Sequence, residues 1–394
     1  MKKSASSSGF VLPVSMTVFC LLIFLLPALK SGRFADWIPG LGAAAVLLVG
    51  SLMLAPVFRA DRILLNIVSF VSALSLFGVT LLRPEALPDA ALLWAAGLGV
   101  MLSASLSVRT MSGRTLLPWA SGFLALLLSL IPALTSLPVR ADLAAAPFFI
   151  LALAGFLSAR RFLPVFLLML ICPAMTGLGG HFASALCQGA VGVLMLYASA
   201  GSAVLSLTGL IGVAGLAAAG AAMLPGVSAA FFSWADVLKG ASPQGLPCAS
   251  SLGAVSAGGW FGVGIGQGTS LTGMAPENVF WPLLCEQFGW IAALCVFLML
   301  ILMLWRGASA ASRTRTGFHG LLAMGAVAML GCRLLLSAGG ALGVLPWSDL
   351  PAPLVSRELM GMCADFCLAG FLSGVEGLNR AALREDSRLA MIAR

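Results

Sequence analysis

Trp290-Ile-Ala-Ala-Leu-Cys-Val-Phe-Leu-Met-Leu-Ile-Leu-Met-Leu-Trp305 runs from tryptophan to tryptophan without a charge, an amide or a hydroxyl. A helix at the surface of a soluble protein keeps one face polar, whereas a helix that is apolar all round is enclosed by protein or by lipid. The run extends outward to 279–305, long enough for a hydrocarbon core of about 30 Å at about 1.5 Å per residue. The rest of the 394 residues reads the same way, with 60% hydrophobic, 9% charged and a mean hydropathy of +1.06. That is far from soluble composition. Divided at its charged and Pro/Gly-rich breaks, the chain yields candidate spans at 10–29, 38–58, 63–82, 90–108, 116–137, 143–159, 162–175, 182–200, 203–224, 279–305, 317–339 and 354–373. The expected fold class is all-α, a polytopic integral membrane protein with 10–12 transmembrane helices. Span 10–29 follows Lys2 and Lys3 as a signal peptide would, but it is too long, and Pro27-Ala-Leu-Lys30 is a poor cleavage site, so it is expected to remain a helix. Span 162–175 runs into Thr176-Gly-Leu-Gly-Gly180, where a helix broken or ended within the membrane is expected.

The 22 Lys and Arg exceed the 14 Asp and Glu by 8. Basic residues are not clustered with stacking aromatics, so the excess does not point to nucleic acid; it is read as topology. With the N-terminus inside, fifteen cations fall at cytoplasmic ends and loops and six fall outside, in keeping with the positive-inside rule. Both termini are then cytoplasmic, and the long loop 225–278 is extracytoplasmic. A loop of that length between short-looped helices is usually functional. Nine cysteines, an odd number lying mostly in apolar runs, exclude a disulfide framework. No CxxC, HExxH, P-loop or GxSxG occurs, and with two His and one Tyr the chain offers no metal-ligand set and little of the usual soluble-enzyme chemistry. Gly201, Gly209, Gly212, Gly215 and Gly220 are read as sites of close helix packing.

Within the long loop lies Gly258-Gly-Trp-Phe-Gly-Val-Gly-Ile-Gly266, followed by Pro276-Glu-Asn-Val-Phe-Trp281. Two readings stand. The segment is either an interfacial turn anchored by Trp260 and Phe261, or a cradle in which the amides around Gly258, Gly259, Gly262, Gly264 and Gly266 hold phosphate.

The order of motifs adds a resemblance. Gly258 to Gly266 resembles the GG-[LF]-FG-x-G-[LI]-G signature of the SEDS family, the FtsW, RodA and SpoVE proteins, which polymerise peptidoglycan glycan strands from lipid II. Cys285-Glu-Gln-Phe-Gly289 is similar to the family's G-E-E-L-G. Gly339-Gly-Ala-Leu-Gly-Val-Leu-Pro346 and Leu350-Pro-Ala-Pro-Leu-Val-Ser356 resemble its N-[IV]-G-x-x-x-G-L-L-P and [LI]-P-L-P-[FL]-[IV]-S. Pro164-Val-Phe-Leu-Leu-Met-Leu-Ile-Cys-Pro173 is similar to its P-V-L-L-I-L-L-Q-P helix. The resemblance implies ten core helices, leaving 1–62 as two extra N-terminal transmembrane helices, 63–380 as the core and 381–394 as a basic cytoplasmic tail. It also implies the bacterial cytoplasmic membrane, lipid II as substrate, a class B penicillin-binding transpeptidase as partner, and a role in cell shape, division or sporulation. Two departures stand out. Cys172-Pro-Ala-Met-Thr-Gly177 lacks the family's carboxylate in Q-P-D-L-G-T, and counting back from Glu286 and Gly289 puts Asn278 at the family's catalytic Asp, with Glu277 beside it.

Glycan polymerisation needs a base for the acceptor hydroxyl while the diphosphate leaves, commonly with a cation on the phosphates. Glu277 is either that base or a solvated Glu opening a helix. No cofactor is identified, and a divalent cation is compatible with the chemistry. Glu286 and Arg333 lie at one depth inside their spans, which points to an ion pair, either lining an outward cavity or purely structural. Asp365, near the middle of the last span, faces that cavity or bonds to a Ser or a backbone carbonyl. Arg357 and Lys239 are outer cations that could meet the diphosphate or merely set topology. Two rival functions remain at this stage, a scaffold that has lost its Asp and a transporter of lipid-linked precursor.

Overall fold

The computed structural model describes residues 8–31, 37–50, 61–135, 140–223, 234, 246–268, 271, 274, 278–346 and 350–392. Among them run α1 (Ser8–Ser31), α2 (Ile38–Val49), α3 (Arg62–Leu82), α4 (Leu87–Met111), α5 (Leu117–Leu134), α6 (Ala141–Ser158) and α7 (Phe162–Leu178). There follow α8 (Phe182–Ala200), α9 (Ala203–Met223), α10 (Leu246–Gly258), α11 (Phe280–Ser312), α12 (Gly317–Ala341) and α13 (Leu359–Ile392). Nine helices among the described residues are long and apolar enough to cross a membrane, and Pro13–Leu26, Gly40–Val49 and Phe162–Leu178 are shorter apolar helices. The sequence spans fall on α1–α9 and α11–α13. The helix α10 is the addition, inside the segment expected to be loop.

Successive spans alternate in direction, so their ends gather in two sets. Arg62, Arg109, Arg114, Arg161, Arg306, Arg313 and Arg380 collect at what we call the basic end, while α10 and the glycine-rich segment lie at the loop end. The helix α3 is buried along nearly its whole length, whereas α9 is peripheral. Along α13, Gly370 and Gly374 bring the backbone against α4, where an added Cβ would press on the carbonyls of Met101 and Ser105. This is the small-xxx-small packing by which helices approach closely in lipid. At the basic end Asp61, 1% exposed, is held by Arg306 and by Arg380 at 2.5 Å, and its amide donates to Ser373 Oγ at 2.9 Å. That one carboxylate ties α3, α11 and α13 together.

Three expectations about the spans need correction. The last helix begins at Leu359, not 354. Pro351 and Pro353 break the helical ladder, and Leu354 takes φ 68°. The segment 350–356 is buried and non-helical, and irregular backbone at membrane depth survives only where protein supplies its hydrogen bonds. Here Ser75 Oγ donates to the Val355 carbonyl (3.1 Å), Ser72 Oγ lies 3.3 Å from the Leu354 carbonyl, and the Leu354 amide donates to Asp365 (2.8 Å). Second, of the two outcomes expected at Thr176–Gly180 the break does not occur and the end does: α7 runs through Thr176 and Gly177, stops at Leu178 and closes in a tight turn where Gly180 has φ 87°. Third, Gly209, Gly212 and Gly220 do pack closely, but Gly215 has open space beside it and Gly201 is a left-handed helix cap.

Candidate functional site

Helix α11 opens beside α12, where Trp281 Nε1 donates to Ser337 Oγ at 3.1 Å. It then bends at Gly289, whose φ 83°, ψ 174° lies in a region essentially reserved for glycine. The bend frees backbone groups from the helical ladder, and the glycine-rich segment takes them up. Trp290 N–H donates to Gly259 O (3.0 Å), and Val263 N–H donates to Glu286 O (2.8 Å). A Cβ on Gly258, Gly262 or Gly289 would run into the facing main chain, at Cys285, Gln287 and Trp260 respectively. The three glycines are therefore required for backbone-to-backbone contact. The Gly266 amide donates to Gln287 Oε1 at 2.6 Å, so this amide, too, is spent on α11. Trp260 and Phe261 stand 72% and 83% exposed, in keeping with aromatic anchors at a membrane surface. Gly264 turns the chain at φ 101°. The Glu286 side chain, 2% exposed, lies against Gly268.

Arg333 does not pair with Glu286. The Trp281–Ser337 contact sets the register, so Glu286 and Arg333 lie about 7.5 Å and 6 Å further along their helices, and the matched depth holds. Their directions around the helix axes differ. Glu286 faces the glycine clasp, whereas Arg333, 1% exposed, forms an ion pair with the fully buried Asp365 of α13. Asp365's other oxygen accepts from the Leu354 amide, so its backbone partner is an N–H rather than a carbonyl. The pair thereby holds the 350–356 segment to α12 and α13.

Asn278 is half-buried, two residues before α11. Glu277 and Lys239 lie outside the described residues. Arg357 is half-buried between the 350–356 segment and α13. Sequence reasoning missed a cluster at this same end. Asp142, 1% exposed, accepts from Ser184 Oγ (2.6 Å) and Arg140 Nε (3.1 Å) and lies 3.9 Å from His181 Nε2. The Arg140 amide in turn donates to Glu358 at 3.0 Å. The available signal was the placement of Arg140, Asp142 and His181 at span ends that the topology puts on one side. Among the described residues no three His, Cys, Asp or Glu side chains are grouped to hold a metal ion.

The family model of the FtsW, RodA and SpoVE cell cycle proteins matches residues 149–376, from the second half of α6 through the first half of α13, with the clasp and the Arg333–Asp365 pair. The chain belongs to this family. It is 31% identical over 260 residues to a probable peptidoglycan glycosyltransferase FtsW of Halorhodospira halophila, covering 60% of this chain and 64% of that one. It is 26% identical over 179 residues to the stage V sporulation protein E of Bacillus subtilis, covering 45% and 48%. The matched region thus spans between about half and two thirds of these relatives' length. Among solved structures, a chain from a peptidoglycan synthase complex that coordinates polymerization and crosslinking superposes with TM-score 0.64 at 19% identity, over 81% of this chain and 98% of that one. The rod shape determining protein RodA of Thermus thermophilus superposes with TM-score 0.56 at 18% identity, over 80% and 96%. At these identities the likeness establishes the fold. Family membership and the apolar helices make this FtsW/RodA/SpoVE member a multi-pass protein of the bacterial inner membrane.

Proposed function

We propose that this FtsW/RodA/SpoVE member is a peptidoglycan glycosyltransferase that extends glycan strands from lipid II at the loop end, facing outward. The observation that carries the reading is the clasp between Gly258–Gly266 and the bend at Gly289, lying inside the region of family match. It fixes the bend of α11 at Gly289, and Asn278, with Glu277 as its neighbour in sequence, leads into the start of the same helix. In this reading Glu277 takes the proton from the acceptor 4-hydroxyl as that oxygen attacks the donor's anomeric carbon and the lipid diphosphate leaves. Of the cations assigned to the outer side, Lys239 and Arg357 are those nearest in sequence to Glu277 and would meet the diphosphate, with a divalent cation joining them if the reaction requires one. A class B penicillin-binding transpeptidase is the proposed partner. The solved chains cover about four fifths of this one, in keeping with α1 and α2 as additions to a ten-helix core.

One observation favours a second reading. Between residues 237 and 285 the sequence holds a single acidic residue, Glu277, and Asn278 cannot serve as a base. If Glu277 does not act, the chain is a scaffold that has lost its chemistry. Purified full-length protein in lipid vesicles, given labelled lipid II, decides between them. Glu277→Gln should lower strand formation by about 10²–10⁴-fold with unchanged melting temperature, and Asn278→Asp should leave it unchanged or raise it. An inactive wild type that gains activity on Asn278→Asp would establish the scaffold, and a fully active Glu277→Gln would place the base elsewhere.

A further inference from the structure

At the basic end, away from the clasp, a cavity of about 420 Å³ opens between α1, α3 and α11, and a second of about 330 Å³ opens between α4–α5, α6–α7 and α11–α12. The first is lined by Arg306, which Asp61 already neutralises, by Arg313 and by the acidic Glu376. The second is different in its charge. Its lining includes Arg114 and Arg161 and no acidic side chain. Both arginines are exposed at the rim. Its apolar side is aromatic, with the exposed Trp119 edge-to-face on the buried Phe156 at 4.9 Å. The cavity is therefore cationic where the short inter-helix loops meet the surface and apolar one turn further in.

That gradient is the one a glycerophospholipid presents from phosphate to acyl chain. We infer that this cavity binds the headgroup and upper acyl region of an anionic phospholipid in the leaflet at the basic end. Arg114 and Arg161 meet the phosphate, and Trp119 and Phe156 pack against the glycerol backbone and first methylenes. Ser158 lines the same cavity and donates its own proton to the Gly155 carbonyl at 2.9 Å. Its oxygen is left as an acceptor, suited to a headgroup that carries free hydroxyls. The starts of α5, α7 and α12 border the cavity, and none has a side-chain cap, so their N–H ends add to the positive field. Charge complementarity selects a lipid over other occupants, because an uncharged apolar ligand would leave two arginines without a function, and a free anion would leave the aromatic wall unused. The inference rests on the membrane reading and is independent of the chemistry proposed for the loop end.

The test uses the full chain in nanodiscs made from equal parts phosphatidylglycerol and phosphatidylcholine, extracted gently, with retained lipid counted by native mass spectrometry. Each interfacial arginine contributes about a fivefold preference for an anionic headgroup, so the pair should give on the order of 25-fold enrichment of phosphatidylglycerol. Arg114→Gln/Arg161→Gln should reduce this to near parity, and Arg306→Gln/Arg313→Gln, at the neighbouring cavity, should not. Thermal melting in detergent without added lipid reports whether the variants are folded; if the double variant is not, single Arg161→Gln should show about a fivefold loss. Equal retention of the two lipids by the wild type overturns the inference, as does enrichment that survives the Arg114/Arg161 change in folded protein. Displacement of phosphatidylglycerol by excess inorganic phosphate would show an anion site with no lipid specificity and overturn it equally.

Discussion

The buried residue that departs most from expectation is Arg333. Its depth could be read from the sequence, because position along a helix is residue count multiplied by rise. Its partner could not, because two helices at the same depth can turn the same residues toward or away from each other. Asp365, not Glu286, receives the guanidinium. Removing one member of a buried pair leaves an uncompensated charge, at a cost of about 3–5 kcal/mol, whereas replacing both by apolar residues costs far less. Asp365→Asn and Arg333→Met should each lower the melting temperature in detergent strongly, and Arg333→Met/Asp365→Leu should recover much of the loss. Glu286→Gln combined with Arg333→Met should instead show additive losses, since the two side chains share no bond. Additivity in the Arg333/Asp365 cycle would contradict the pairing seen here.

At the scale of elements, the sequence marked one of the two places where helices depart from regularity, and not the form of the departure. Proline at 351 and 353 announced a break, yet the span 354–373 was drawn through Leu354 because its apolar composition suits a helix equally well. What keeps 350–356 extended is the set of hydrogen bonds from Ser72, Ser75 and Asp365, none of them local in sequence. Gly289 is the other case. In the sequence it is one of 45 glycines; in the structure its φ and ψ and the main chain of Trp260 leave no room for a side chain. Gly289→Ala should destabilise by about 1–3 kcal/mol from backbone strain alone, with a further loss from contact with the clasp. Gly99→Ala, in the exposed interior of α4 where nothing lies near, should instead be neutral or stabilise by up to about 1 kcal/mol. Differential melting of the two variants checks the contrast. The clasp also accounts for glycines that sequence left divided between a phosphate cradle and an interfacial turn, since at Gly258 and Gly262 backbone contact is what excludes a side chain.

For the whole molecule, orientation is carried by the imbalance of fifteen cations against six. Read by the positive-inside rule, it predicts that the basic end is cytoplasmic and the clasp outside. A cysteine placed at Ser242 should react with a membrane-impermeant maleimide in intact spheroplasts and should be silent in inside-out vesicles. Reaction only in the inverted vesicles would reverse the orientation and move the proposed chemistry to the other side of the membrane. By itself the sequence determined which apolar runs become helices and their approximate limits, because lipid admits only backbone that satisfies its own hydrogen bonds, and that demand writes long apolar runs into any chain that crosses. It also carried the family motifs, including the one that becomes the clasp. Only the tertiary structure decided which helix faces meet. It paired Arg333 with Asp365, gathered Asp142 with His181 and Ser184, and bent α11 over the glycine segment. These depend on rotation about helix axes, and rotation is set by packing between segments distant in sequence, where a residue's identity states what it can bond but not what will be opposite it.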